Sequence, residues 1–204
     1  MTALYHLQCD EMNRQPLIEV LKGIASSYDE LPALRHFAAG ESRTRPGSFL
    51  MFGKWTSEQA FLDAGREPLM TGQREALMNL TTVKTRDLLW PLGHLERPPE
   101  ARGAPPRVMV STTMVAKKDK VECLPAFLEN ARGQIFKWPG NRLIENGQNF
   151  AGPDFFHGYG EWDSLEALDA YMNSPEINDF FEPLKGKLVS QTLDVLDVVA
   201  FAED

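Results

Sequence analysis

His157, Tyr159 and Glu161 occupy alternate positions in the stretch Phe155–Trp162. If that stretch is a strand, the three side chains share one face. A histidine titrates near neutrality and can take a proton from a phenol, and a neighbouring tyrosine hydroxyl can hold the oxyanion that results. Arg35 and Arg142 are guanidinium candidates for gripping a phenolate or carboxylate, with His36 and Asn141 as further polar candidates. Each group also has a plain structural reading: a polar seam for His157 and Tyr159, an ion pair for the two arginines. The four histidines are scattered and have no spaced carboxylates, so no metal site is expected.

The elements that must position these groups are read from a repeat. Phe155–Trp162 runs straight into Asp163-Ser164-Leu165-Glu166-Ala167-Leu168, where Asp163 and Ser164 offer oxygens to cap a helix. The same plan occurs 107 residues earlier, pairing Phe49 with Phe156, Gly53 with Gly160, Trp55 with Trp162, Ser57 with Ser164 and Ala60 with Ala167. The offset also pairs Leu17 with Leu124, Arg35 with Arg142, Pro68 with Pro175 and Leu89 with Leu196. A period of that length is a small domain rather than a solenoid unit. In the first copy the positions of His157, Tyr159 and Glu161 are Leu50, Phe52 and Lys54, which confines that acid–base chemistry to the second copy.

Each copy reads strand, helix, strand, strand, helix, strand. In the first, strands are expected over Ala3–Cys9, Ala33–Gly40, Ser48–Trp55 and Thr82–Trp90, with helices over Gln15–Tyr28, Ser57–Ala64 and Pro68–Leu80. The second follows the same order, from Arg107–Val115 to Ser190–Phe201. Between them, the prolines and glycines of Pro91–Pro106 argue against helix and central strand. The expected organisation is therefore domain 1–92, a Pro-rich linker 93–106, and domain 107–204. The fold class is α+β, with two tandem ferredoxin-like βαββαβ domains. Phe49–Phe52 and Val195–Val199 are apolar at nearly every position, which calls for cover on both faces. The expectation is a pair of domains packed sheet to sheet as a pseudo-dimeric α+β barrel.

A net charge of −8 argues against a nucleic-acid groove, which needs a positive field. No stretch is long enough to span a membrane, and the early polar residues His6, Gln8, Asp10 and Glu11 do not suit a signal peptide. Two cysteines make no disulfide framework. The expected location is cytoplasmic.

A ferredoxin-like unit whose third strand ends in Trp, followed by a Ser-x-x-Ala helix start and a Pro-initiated helix, resembles the antibiotic-biosynthesis-monooxygenase domain of the dimeric α+β-barrel superfamily. The residues that carry this are Glu161–Leu168 with Asn173-Ser174-Pro175-Glu176, and more weakly Lys54–Phe61 with Glu67-Pro68. In length and layout the chain is similar to tandem members that open or contract a ring of angucycline polyketides. The resemblance implies an oxygenase of a polycyclic phenol or hydroquinone in aromatic polyketide biosynthesis. Such an enzyme uses O2 and either no cofactor or reduced flavin as co-substrate. A homodimer of the tandem chain is compatible with it. It places Trp55 and Trp162 on a pocket wall, each offering a flat apolar face and one N–H donor. Met51 and Phe52 stand beside Trp55 as substrate-binding candidates, and Trp162 joins His157 and Tyr159 as the catalytic set. One departure stands out. Single-domain anthrone oxygenases of the family carry an Asn four residues before the strand-end Trp, and those positions here are Met51 and Gly158. The competing readings are a non-oxidative isomerase or cyclase with His157 as base, and a protein that shelters a reactive aromatic.

Overall fold

The computed structural model describes residues 1–101 and 103–203. Arg102 of the expected linker and Asp204 at the end of the expected second domain lie outside the described residues. The chain forms two compact units, Met1–Leu88 with Leu196–Asp204, and Leu89–Val195.

The first unit contains β1 (Thr2–Gln8), α1 (Glu11–Ser26), β2 (Leu34–Ser42), β3 (Ser48–Trp55), α2 (Glu58–Ala64), α3 (Pro68–Leu80) and the start of β4 (Val83–Glu96). β3 is central and pairs antiparallel with β1 and β2, with Phe52 opposite Leu4 and Gly53 opposite Phe37. β4 enters beside β1, where the Thr82 N–H donates to the Gln8 carbonyl at 2.7 Å. The Leu17, Leu21 and Ile24 stripe of α1 packs on the helix side of the sheet with Phe49, Met51 and Trp55. The outer edge of β2 takes residues 196–203, with Phe37 opposite Ala202.

The second unit repeats the plan: β5 (Val108–Ala116), a 3-10 turn (Lys118–Cys123), α4 (Leu124–Phe136), β6 (Asn141–Asn149), β7 (Phe155–Trp162), α5 (Leu165–Met172), α6 (Pro175–Lys185) and β8 (Leu188–Glu203). β7 is central between β5 and β6. Both units are ferredoxin-like and the class is α+β. The sequence repeat is visible in the caps. Ser57 Oγ accepts from Ala60 N at 3.0 Å, and Ser164 Oγ accepts from Ala167 N at 3.2 Å. Pro68 and Pro175 each sit in the first turn of the next helix, where a missing N–H does no harm.

The linker begins later than the sequence suggests. Pro91–Glu96 is the second half of β4 and pairs with β6, with Pro91 opposite Gly147 and Leu95 opposite Ile144. The prolines and glycines misled because the register shifts between Pro91 and Gly93. A bulge lets a proline sit in a paired strand without breaking the ladder on either side. The last strand also runs further than expected, through Glu203, and Leu196–Asp204 belongs to the first unit. Among the described residues no helix is long and apolar enough to cross a membrane.

Candidate active site

The pleat of β7 decides which side chains can meet a ligand. Phe156 and Trp162 pack against α4, α5 and α6, so even-numbered positions of β7 face the helices. Two of those positions, Gly158 and Gly160, carry no side chain. The space they leave becomes a cavity of about 260 Å³ between sheet and helices. Its walls are mostly apolar, with Val110 and Met114 from β5, Ile144 from β6, Leu168 and Tyr171 from α5, and Ile177 and Phe181 from α6. Trp162 closes one end, its ring 5.1 Å from that of Tyr171. The indole Nε1 edge lies over Gly160, where an added Cβ would sit 3.5 Å away. Burial of Trp162 and Leu168 contributes about 1.5–3 kcal/mol each to holding α5 on the sheet, and the Ser164 cap fixes where that helix begins.

Among the polar side chains that line this cavity, Asn146 is buried, whereas Thr112 is half-buried and Asn178, Lys185 and Gln191 are exposed. Asn146 lies on β6 directly opposite Gly158. Its Nδ2 reaches into the room that glycine leaves, 3.3 Å from where a Cβ would be. The amide orientation follows from its neighbour. Arg132 of α4, itself buried, donates from Nη1 to Asn146 Oδ1 at 3.4 Å. A guanidinium has donors only, so the amide oxygen must face it and the two Nδ2 hydrogens point the other way. Arg132 is in turn seated by β4. A Cβ at Gly93 would lie 2.5 Å from its Nη2 and 2.7 Å from its Cζ, and Gly93 adopts φ +148°. Only glycine leaves that place for the guanidinium. The chain Gly93, Arg132, Asn146 thus delivers an N–H donor to an apolar chamber. Asn146 Nδ2 and Trp162 Nε1 stand by glycines two residues apart, roughly 7 Å along the strand.

The first unit has the matching cavity, about 300 Å³, lined by Met51, Gly53, Trp55, Phe37 and Leu77. Its counterparts of Asn146 and Arg132 are Ala39 and Ala25, and Met51 stands where the second unit has Gly158. The amide that lines it, Gln73, comes from α3 rather than from the sheet.

The catalytic trio expected from the sequence is not brought together. His157, Tyr159 and Glu161 do share a face, but it is the face turned away from the helices, whereas Trp162 points toward them. His157 is buried with Nδ1 3.5 Å from Thr113 Oγ1 and its ring 5.1 Å from Phe155. Tyr159 forms wall between the two glycines, but its hydroxyl donates to Glu161 Oε1 at 2.7 Å. Burial, then Glu161 and Glu145, push the Tyr159 phenol well above its ordinary range, so it stays a neutral donor.

Trp55 and Met51 line the first cavity as expected, but Phe52 lies on the opposite face, edge-on to His36 with ring centres 5.6 Å apart. His36 is itself buried beside Phe201 and 3.8 Å from Glu203, away from the cavity. Arg35 is exposed beside the register shift at Leu34/His36. Arg142 is buried and bonds the Ala104 carbonyl and Asp163 Oδ1, tying down the incoming chain. Asn141 donates to the Leu143 and Glu161 carbonyls at 3.4 Å, serving the bulge between Asn141 and Leu143. These are positional roles. The residues that sequence reasoning passed over are Asn146, Arg132 and Tyr171. The one available signal was Gly158, since a glycine inside a strand marks close approach by a neighbour.

A tandem protein of ferredoxin-like units, each with a chamber between its sheet and helices, is the class defined by this geometry. Residues 107–183, within the second unit, match the family model of the antibiotic biosynthesis monooxygenases. Three solved structures share the fold. A provisionally named monooxygenase from Fusobacterium nucleatum aligns with TM-score 0.90 at 8% identity, over 100% of this chain and 94% of the other. One from Lactobacillus acidophilus aligns with TM-score 0.83 at 15% identity, over 99% and 95%. An anthrone oxidase-like protein aligns with TM-score 0.71 at 14% identity, over 98% and 91%. At such identities the likeness is one of fold. No curated protein matches the chain.

Proposed function

We propose that this chain is an oxygenase of polycyclic phenols or hydroquinones, of the kind made in aromatic polyketide biosynthesis, acting in the cavity of the second unit. The observation that carries this is Asn146: a fixed N–H donor in an apolar chamber, oriented by Arg132. A flat aromatic fits between Trp162, Tyr171 and the glycine floor. Its oxygen accepts from Asn146 Nδ2, with the Trp162 indole N–H at the other end of the floor. Such donors favour the phenolate over the phenol, because they are aligned before charge develops and water is excluded. The anion is the electron-rich form that reacts with O2. For an anthrone the overall change is a CH2 group and O2 going to a carbonyl and water, which balances with no external reductant. Reduced flavin arriving as a co-substrate is the second way to supply electrons. The amide also stands in for the family's Asn at a position this chain has given to Gly158.

His157 faces away from the chamber, which favours the oxygenase reading over an isomerase or cyclase with His157 as base. The test is oxygen uptake by the purified protein with anthrone, with and without a flavin reductase, FMN and NADH. Uptake that falls about a hundredfold in Asn146→Ala is expected, the usual loss when one oxyanion donor is removed. Absence of uptake under both conditions would overturn the oxygenase reading and leave a protein that shelters its ligand.

A further inference from the structure

The two cavities have matching wall positions but differ at their mouths. Trp55, Gly53, Phe61 and Leu77 in the first unit correspond to Trp162, Gly160, Leu168 and Leu184 in the second. Around the first cavity, however, stand Arg66, Arg74 and Arg86, where the second has Asn173, Phe181 and Leu193. Arg66 is partly neutralised by Asp63 at 3.1 Å. Among the described residues, no carboxylate forms an ion pair with Arg74 or Arg86. Arg86 lies 5.9 Å over the Phe61 ring, and burial pushes the Tyr5 phenol up while the nearby Arg86 and Arg74 charges pull it down. Gln73 lines the same cavity with a buried Oε1 that has no partner. In a chain of net charge −8, this is a concentrated positive mouth over an apolar chamber.

We propose that the first unit's cavity is a second binding site, for an aromatic carboxylate whose ring system enters between Trp55, Phe61 and Met51 and whose charge is held by Arg74 and Arg86. The ring body gains from apolar burial, and the carboxylate meets two guanidinium groups that have no acidic partner among the described residues. The Tyr5 hydroxyl is placed as an additional donor. This site is independent of the oxygenase reading, which concerns Asn146 and the second unit.

The experiment is calorimetric titration with 2-naphthoate and, as the uncharged match, 2-naphthalenemethanol. Naphthoate should bind at least about tenfold more tightly than the alcohol, and the Arg74→Gln/Arg86→Gln double variant should weaken naphthoate by at least about tenfold while leaving the alcohol unchanged. Both arginines are exposed, so the variant should fold, and its melting temperature checks that. Arg74→Lys/Arg86→Lys should recover part of the loss and its salt dependence. Equal affinity for the two probes, no binding of naphthoate, or naphthoate affinity unchanged in the glutamine variant would each overturn the site.

Discussion

Gly93→Ala is the perturbation that reads the second unit's construction most directly. The new methyl would meet the Arg132 guanidinium at 2.5 and 2.7 Å, and the backbone there sits at φ +148°. Holding a side-chain-bearing residue in that conformation costs about 1–3 kcal/mol. Displacing the guanidinium also forfeits its hydrogen bond to Asn146 Oδ1, and a bond to a charged group is worth about 1.5–3 kcal/mol. The sum is about 2.5–6 kcal/mol. In a chain of this length each kcal/mol moves the melting temperature by about 2–4 °C, so a drop of roughly 5–24 °C is expected. The assay is a double-variant cycle by chemical denaturation. In an Arg132→Met background the collision is gone, so Gly93→Ala should cost only the backbone part. A coupling of about 2 kcal/mol would then appear between the two sites. Oxygen uptake should fall with Gly93→Ala as well, because Asn146 loses the partner that turns its Nδ2 into the cavity. Equal effects of Gly93→Ala with and without Arg132 would refute this seating of the guanidinium.

Further outcomes follow from the same geometry. Asn146→Asp should lower uptake at least as much as Asn146→Ala, since a carboxylate offers no donor and repels a phenolate. Ser164→Ala should cost about 1 kcal/mol by removing the cap on Ala167 N, and Ser57→Ala about the same in the first unit, both read by denaturation. The Tyr159 phenol titrates higher in the folded chain than in the unfolded one, where it ionises near 10. Its contribution is therefore complete below about pH 10 and is lost as pH rises toward the folded value. Tyr159→Phe should flatten the stability decline above pH 10, while costing about 1.5–3 kcal/mol at pH 7 for the bond to Glu161. Gly158→Leu should fill the cavity and abolish uptake with little change in circular dichroism, because the added side chain would enter the cavity and press on Asn146 Nδ2, 3.3 Å from the new Cβ.

The fold was legible because the repeat is anchored by residues with local meaning. Trp55 and Trp162 end the central strands, Ser57 and Ser164 cap, Pro68 and Pro175 open helices, and each acts within a few residues of itself. The site was less legible because it depends on facing and register. Both faces of β7 are buried, so alternation groups His157 with Tyr159 without saying which face meets the helices. Asn146 reaches Gly158 only through a pairing across the turn at 150–154, and a turn of that length does not announce its register. Arg132 looks like a solvated helix charge until Gly93 is seen beside it. That contact rests on a proline-bearing bulge that the sequence presents as linker.

Where a subunit meets an identical copy of itself, every side chain appears twice, and a change that improves one site alters both. Carrying both units on one chain lifts that restriction. Ala39 and Asn146, or Arg74 and Phe181, are independent letters rather than one letter read twice. The two chambers therefore answer to separate selection, and one gene can keep a donor in one and a positive mouth on the other.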